Sequence, residues 1–211
     1  DEILKRIGNV SWSKSILNIH SNKQINFNSK FYRRLAYDEV LANLLVLSQV
    51  RIRIRKSKKK NKKFDYTLSE KIKKNFNFSL TMSQMKVINE INDDLKSNFK
   101  MFRLLQGDVG SGKTIVSFIA AANVIRSSYQ VALMAPTEIL AKQHYNLAKQ
   151  IFGLTNINIE FLSGKTDGNK KKIIQENLSN GKINLLIGTH ALFQKNIFFK
   201  NLGLVIIDEQ H

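Results

Sequence analysis

The sequence of 211 residues contains no cysteine and no long uninterrupted apolar run. Without cysteine, neither a disulfide framework nor a thiolate metal site can form, so we expect a cytoplasmic protein. The longest apolar stretch, residues 115–125, is interrupted by Ser117 and Asn123 and falls short of the roughly twenty residues that span a bilayer. We predict that it forms a buried helix and expect no membrane partner. The N-terminus lacks a basic segment followed by an apolar one, so no secretory signal is predicted.

Acidic residues are also scarce, because 16 Asp and Glu stand against 34 Lys and Arg and leave a formal net charge of +18. Such a surface attracts polyanions, which favours a nucleic-acid or anionic-membrane partner. The sequence is equally rich in Lys, Asn and Ile, a composition that the codon bias of an AT-rich genome gives to proteins of any function. The charge alone therefore does not distinguish a surface that binds polyanions from the effect of codon bias.

Three regions differ in their texture. Residues 1–30 are polar and aperiodic, and we interpret them as an irregular connection or the edge of an upstream domain. Residues 31–75 are predicted to form a helical linker, with one long helix over residues 31–55 that enters the basic run Arg51–Lys63. That run is either a solvated, self-repelling helix end or a direct phosphate contact. Residues 76–211 are long enough and apolar enough to bury one ordinary core.

Within residues 76–211, strand-like and helix-like segments alternate. The predicted strands are 102–105, 131–135, 157–162, 183–188 and 204–207, and the predicted helices are 81–97, 113–126, 138–152 and 169–180. Near-continuous apolar strands that alternate with helices indicate an α/β fold with a parallel sheet covered by helices on both faces.

Residues 107–114 match the phosphate-binding pattern Gly-x-x-x-x-Gly-Lys-Thr in full, between a predicted strand and a predicted helix. The glycines let backbone N–H groups turn towards phosphates, and the following helix directs its positive N-terminus at them. Lys113 is predicted to neutralise the β- and γ-phosphates of ATP, and the Thr114 hydroxyl to bind Mg²⁺. The predicted nucleotide-binding residues are Gly107, Asp108, Val109, Gly110, Ser111, Gly112, Lys113 and Thr114.

Two acidic residues follow the last apolar run, residues 204–207. The functional groups of a parallel sheet lie at the carboxyl ends of its strands, so this position suits catalysis. Asp208 is predicted to hold Mg²⁺ directly or through water, and Glu209 to orient and deprotonate the attacking water. Lys113, Asp208 and Glu209 are therefore the predicted catalytic residues.

Other P-loop classes lack support in this sequence. A GTPase would need an Asn-Lys-x-Asp motif, and an ABC ATPase would need a Ser-Gly-Gly signature; neither occurs. A non-catalytic nucleic-acid-binding module remains an alternative, but it would not need Lys113, Asp208 and Glu209 together.

Four segments resemble motifs I, Ia, Ib and II of superfamily 2 helicases, in the family's order; they are residues 107–114, 135–141, 188–190 and 208–211. Within the superfamily, residues 78–211 are most similar to the RecG family of branched-DNA helicases. The resemblance implies a RecA-like first motor lobe of an ATP-dependent DNA helicase or translocase that acts in recombination and replication-fork repair. The motor of transcription–repair coupling factors is an alternative, although it favours Glu where Gln210 stands here.

The resemblance also assigns roles outside the P-loop. Gln84 corresponds to the family's adenine-reading glutamine, although it is also explained as a polar residue in the first turn of a helix. Residues of motifs Ia and Ib contact the nucleic-acid backbone in this superfamily. The implied DNA-binding residues are Pro136, Thr137, Gly164, Lys165, Thr189 and His190. Pro136 and Thr137 are equally suited to end a strand and cap the next helix.

The histidines receive different interpretations. His144 and His190 are isolated in the sequence, and we interpret both as structural or solvent-exposed rather than catalytic. The resemblance implies that His211 couples the ATP site to a second motor lobe. It further implies that the second lobe and an N-terminal wedge domain lie outside these residues, so that activity belongs to a longer, monomeric protein acting on branched DNA.

Overall fold

The computed structural model describes residues 5, 9–21, 26–56, 65–74 and 79–209. It separates into two compact units, one formed by residues 1–58 with 99–102 and the other by residues 59–98 with 103–211. No helix within the described residues combines the length and the apolarity that are needed to cross a bilayer.

The first unit contains helix α1 (Trp12–Ser21) and the long helix α2 (Lys30–Lys56), which pack against each other. Helix α2 confirms the helix predicted over residues 31–55. The interpretation of residues 1–30 as irregular was wrong for α1. Ser15 is buried on α1, and Arg34 of α2 donates a hydrogen bond to the Val10 carbonyl at 3.2 Å. Tertiary packing stabilises this short helix although its own sequence has no clear period.

Helix α2 leaves apolar side chains exposed on its described surface, namely Val40, Leu41, Leu44, Leu45, Val46, Leu47, Val50 and Ile52. The basic run Arg51–Lys63 begins at the C-terminal end of α2, and its residues 57–63 lie outside the described residues. Both interpretations of that run therefore stay as they were predicted.

The second unit is an α/β domain. Its helices are α3 (Thr67–Lys74), α4 (Met82–Lys96), α5 (Lys113–Arg126), α6 (Glu138–Phe152) and α7 (Gly168–Ser179). Its strands are β1 (Gln130–Met134), β2 (Ile159–Leu162), β3 (Leu185–Gly188) and β4 (Leu202–Ile207), and a 3₁₀ turn spans His190–Phe193. The strand order is β2-β3-β1-β4, and every pair is parallel.

The central strands explain why the sequence pattern predicted this architecture. Every residue of β1 and β3 is buried, which requires cover on both faces of the sheet. Helix α5 contacts β1 and β4, while α6 contacts β2 and β3. The α/β prediction is confirmed, and the bounds of α5 and α6 coincide with those predicted.

Helix starts in this unit follow local capping chemistry. The Thr81 hydroxyl accepts from the Gln84 N–H at 3.2 Å, and the Gln84 side chain accepts from the Thr81 N–H at 2.9 Å, which forms a capping box for α4. Thr137 caps α6 by accepting from the Leu140 N–H at 3.3 Å. The Thr137 contact confirms the capping role considered for that residue, and Gln84 lies in the first turn of α4, as its alternative interpretation predicted.

The strand predicted over residues 102–105 was wrong, because residues 100–107 form no regular secondary structure. Phe102 and Leu104 are 74% and 77% exposed, so the apolar pattern does not correspond to burial here. A strand needs a neighbour to satisfy its backbone, and the described sheet ends at β4. The P-loop is therefore preceded by a segment without strand pairing to the described sheet.

Candidate nucleotide-binding site at the carboxyl edge of the sheet

The candidate site lies where the parallel strands end. Loops leave this edge after β1, β2, β3 and β4, and they carry residues 135–137, 163–167, 189–190 and 208–209. The P-loop, residues 107–112, leads into α5, which contacts β1 and β4. The topology thus places both phosphate-binding and acidic residues of the prediction in the second unit.

The P-loop has the backbone that its glycines permit. Gly110 and Gly112 have φ of 81° and 82°, a left-handed conformation that other residues adopt at a cost. A Cβ on Gly107 would stand 2.8 Å from the Ser111 hydroxyl oxygen, so the turn is too tight for a side chain there without a shift. Helix α5 begins immediately after Gly112, which supplies no side-chain cap to its first turn.

The Lys113 ammonium points back into this loop. Its Nζ donates to the Gly107 carbonyl at 2.6 Å and to the Asp108 carbonyl at 2.8 Å. A cation held within a loop of backbone groups, beside the positive end of a helix, fits an anionic phosphate group. Thr114 follows in the first turn of α5 and is half-buried. The residues present therefore suit a nucleotide phosphate with its Mg²⁺.

Gln84 connects helix α4 to the P-loop, a contact that sequence reasoning missed. Its Nε2 donates to the Ser111 carbonyl at 2.9 Å, across 27 residues of sequence. The approach is close, since a Cβ on Gly112 would stand only 2.4 Å from Gln84 Nε2. A primary amide has two N–H groups and two carbonyl lone pairs. The capping box uses one carbonyl lone pair of Gln84, and the P-loop contact uses one N–H group. The other N–H group and the other lone pair are available for a base.

Arg103 fixes the segment ahead of the P-loop to the same helix. Its guanidinium pairs with Asp94 and Glu90 of α4, each at 2.7 Å. The hydrogen bond with Asp94 is the main cause that raises the pKa of Arg103 above its ordinary value. Helix α4 thus contacts the P-loop through Gln84, and it contacts Arg103 in the segment ahead of the P-loop through Glu90 and Asp94.

Asp208 continues the backbone ladder of β4, because its N–H donates to the Met134 carbonyl of β1 at 2.9 Å. Its side chain contacts a histidine from α6, with 2.6 Å between Asp208 Oδ2 and His144 Nε2. The His144 side chain is 11% exposed and that of Asp208 is 31% exposed. No local signal predicts this contact, because the two residues are 64 positions apart in the sequence.

Glu209 follows with a φ of 47°, one of the few non-glycine residues with a positive φ in the described structure. Such a conformation costs about 1–3 kcal/mol and is found preferentially at functional positions. The residue is exposed at the end of β4. Within the described residues, no cluster of three or more His, Asp or Glu side chains could hold a metal ion by itself.

The predicted DNA-binding residues lie after three different strands at this one edge. Pro136 and Thr137 follow β1, Gly164 and Lys165 follow β2, and the Thr189–His190 pair follows β3. The Lys165 ammonium lies 3.5 Å from the Glu138 carboxylate, which links the loop after β2 to the first turn of α6. His190 is exposed and opens the 3₁₀ turn, as interpreted from the sequence. Gln210 and His211 lie outside the described residues.

The comparison with known families decides the classification. The DEAD/DEAH box helicase model matches residues 81–211, which include the P-loop and both acidic residues. This chain is a DEAD/DEAH box helicase by family. Helicases of this family hydrolyse ATP, generally with Mg²⁺.

Individual relatives narrow the resemblance. The chain is 41% identical over 202 residues to the ATP-dependent DNA helicase RecG of Aquifex aeolicus, covering 93% of this chain and 26% of that protein. It is 44% identical over 197 residues to RecG of Thermotoga maritima, and the match covers 92% of this chain and 25% of that protein. RecG of Staphylococcus epidermidis is 53% identical to this chain over 134 residues, and the match covers 64% of this chain and 20% of that protein.

A solved structure of RecG bound to a three-way DNA junction superimposes with a TM-score of 0.78 at 44% identity. The match covers 86% of this chain and 25% of that one, so this DEAD/DEAH helicase chain spans about a quarter of the length of such relatives. The similarity confirms the RecA-like fold and the predicted resemblance to the RecG family.

Proposed function

We propose that this chain is the first motor lobe of an ATP-driven DNA helicase or translocase that acts on branched DNA in recombination and replication-fork repair. The observation that carries the proposal is the Lys113 ammonium inside a complete P-loop, in one domain with the acidic pair at the end of β4. The similarity to RecG proteins, one of them bound to a three-way DNA junction, supports branched DNA as the substrate.

The chain's own residues suit the first part of this activity. Lys113 would exchange its two carbonyl acceptors for phosphate oxygens, and the Thr114 hydroxyl and the Asp208 carboxylate would hold Mg²⁺. The bound Mg²⁺ supplies positive charge next to the phosphates. Glu209 would orient the attacking water and accept its proton, a role that its exposed position at the strand end permits.

Gln84 would read adenine with the amide atoms that its present contacts leave free. Paired N–H and carbonyl groups of Asn and Gln match adenine N7 and N6. Because the same amide donates to the Ser111 carbonyl, a base held by Gln84 would also be connected to the P-loop.

We propose that the loops after β1, β2 and β3 contact the DNA backbone. Exposed hydroxyls, backbone N–H groups and the 85% exposed Lys165 are groups that bind phosphates without reading bases. Thr137 uses one lone pair in capping α6 and retains its O–H as a donor. DNA binding by this edge should therefore be independent of base sequence.

The proposal includes a domain division into residues 1–30, a helical linker over 31–75 and the motor lobe over 76–211. A second motor lobe and a wedge domain would act with this lobe in a monomeric cytoplasmic protein. The share of the RecG relatives that the chain covers supports this arrangement.

The first experiment uses the 211-residue chain. We expect titration calorimetry to show weak binding of a non-hydrolysable ATP analogue with Mg²⁺, and a coupled assay to show negligible hydrolysis, since an arginine from a second lobe contributes about 10³–10⁵ in rate. DNA binding should weaken with salt at a log–log slope near −0.9 per neutralised phosphate. Robust DNA-stimulated hydrolysis by this chain alone would contradict the two-lobe proposal.

The second experiment tests the substrate. A chimera would carry these residues in place of the matching segment of the Thermotoga maritima relative, which is 44% identical over 197 residues. We expect its ATP hydrolysis to respond more strongly to a three-way junction than to a linear duplex of equal length and composition. Equal stimulation by the two DNAs would contradict the branched-DNA assignment while leaving the ATPase assignment intact.

A further inference from the structure

The contact between His144 and Asp208 has no part in the function described so far. The His144 Nε2 and the Asp208 Oδ2 are 2.6 Å apart. An ionised carboxylate can only accept a hydrogen bond, so the Nε2 atom is the donor. The contact leaves the second oxygen, Oδ1, without a role in this pair.

The helix that carries His144 is held firmly against the sheet. Helix α6 is capped by Thr137 at the end of β1 and contacts β2 and β3. Ala141 and Ala148, three residues before and four residues after His144, are fully buried. Residues at these spacings share one helix face. His144 therefore projects from the packed face of α6, and its ring is 11% exposed.

The backbone of Asp208 is equally constrained, because its N–H donates to the Met134 carbonyl across the β1–β4 ladder. The side-chain torsions of Asp208 are the freedom that remains. A hydrogen bond from a packed helix to one carboxylate oxygen restricts these torsions and presents the other oxygen. Carboxylates that bind metals are commonly oriented in this way, and loss of the orienting partner typically costs 10–100-fold in metal affinity.

We infer that His144 is a positioning residue, which holds the Asp208 carboxylate through Oδ2 so that Oδ1 is directed towards Mg²⁺ at the nucleotide. The inference rests on the proposed function, since it assumes that Asp208 is the metal-holding residue. It adds a residue from the middle of α6 that no P-loop, strand-end or DNA-backbone role includes.

The test measures Mn²⁺ binding by electron paramagnetic resonance in the 211-residue chain with ADP, and its competition by Mg²⁺. His144→Leu removes the donor, His144→Gln keeps an N–H group at similar reach, and Gln143→Leu changes an exposed neighbour on the same helix. ADP affinity without metal and the far-ultraviolet circular dichroism melt are measured for each variant.

We expect His144→Leu to weaken Mn²⁺ binding in the ADP complex by about 10–100-fold. Metal-free ADP affinity should not change, because the hydrogen bond of His144 is to the Asp208 carboxylate, which lies outside the P-loop. His144→Gln should recover most of the Mn²⁺ affinity, and Gln143→Leu should match the wild type. In an Asp208→Asn background, His144→Leu should cause no further loss.

Unchanged Mn²⁺ affinity in His144→Leu, or an equal loss in His144→Gln, would overturn the inference. If the Leu variant fails to fold, His144→Met provides the same loss of the donor with a side chain that repacks more easily. A wild-type chain that binds neither ADP nor Mn²⁺ with ADP would refute the proposed function itself. A wild-type chain that binds both, with a His144→Leu variant that binds them equally well, would refute only the role of His144.

Discussion

Two glycines of the P-loop offer a matched pair for testing whether Gln84 and the loop form one structural unit. Gly110 and Gly112 have nearly equal φ of 81° and 82°. Alanine at either position must adopt a left-handed conformation, which costs about 1–2 kcal/mol. A Cβ at position 110 meets nothing within 4 Å, whereas one at position 112 stands 2.4 Å from Gln84 Nε2. The two variants therefore differ in their effect on one side chain.

Displacing Gln84 breaks its hydrogen bond to the Ser111 carbonyl and disturbs the capping box with Thr81. The two hydrogen bonds that are lost, to the Ser111 carbonyl and from the Thr81 N–H, contribute about 0.5–1.5 kcal/mol each, while the Thr81 hydroxyl still caps the helix. Gly112→Ala should therefore be less stable than Gly110→Ala by about 1–3 kcal/mol. The effect of alanine on the unfolded chain is similar at both positions and cancels in the comparison.

Urea unfolding of the 211-residue chain, followed by far-ultraviolet circular dichroism, measures the difference directly. The same pair is then made in a Gln84→Ala background, where no amide remains to be displaced, and the difference between the variants should largely vanish. Equal stabilities in the wild-type background, or a difference that persists without the Gln84 amide, would refute this reasoning.

Three further substitutions test individual roles. Lys113→Ala should abolish ATP turnover in the Thermotoga chimera because the phosphates lose their main local countercharge, while the melting curve stays cooperative; phosphate release at the wild-type rate would contradict the P-loop assignment. Glu209→Gln should leave nucleotide affinity nearly intact and slow hydrolysis by about 10²–10⁴, the usual cost of losing a general base; a parallel fall in affinity by calorimetry would make Glu209 a structural or metal-holding residue instead. The hydrogen bonds from Thr67, aided by Arg126, lower the pKa of Asp65 below its ordinary value of 3.8. The ionised Asp65 carboxylate therefore stabilises the fold fully above pH 3.8, and this stabilisation is lost as the pH falls through the lower pKa of the folded state. The melting temperatures of wild type and Asp65→Asn should therefore differ near neutral pH and converge in strong acid, and a pH-independent difference would exclude this linkage.

The parts of the molecule that follow local rules could be predicted from the sequence. Thr137 marks the start of α6 because its hydroxyl caps the helix, and the apolar runs of β1 and β3 are buried on both faces as parallel strands require. The P-loop was equally predictable, because its glycines and Lys113 act within eight consecutive residues.

Features that depend on distant partners were not predictable. Helix α1 is stabilised by its contact with α2, and the Gln84 and His144 contacts join residues 27 and 64 positions apart. For residues 102–105 the prediction was wrong for the converse reason: their apolar pattern is typical of a strand, but no described strand pairs with them. The periodicity of apolar residues indicates which side chains favour burial, but it does not indicate which neighbouring element buries them.

The edge strand β4 has a practical consequence for handling this polypeptide. It carries no charged residue, and Leu202, Val205 and Ile207 are each more than 40% exposed. The opposite edge strand, β2, carries Glu160, a charge of the kind that discourages pairing with another chain. An uncharged, apolar edge is a template for intermolecular strand addition. Solutions of the 211-residue chain should therefore lose protein to self-association as concentration rises, and binding constants measured on it will be meaningful only in the range where they do not vary with dilution.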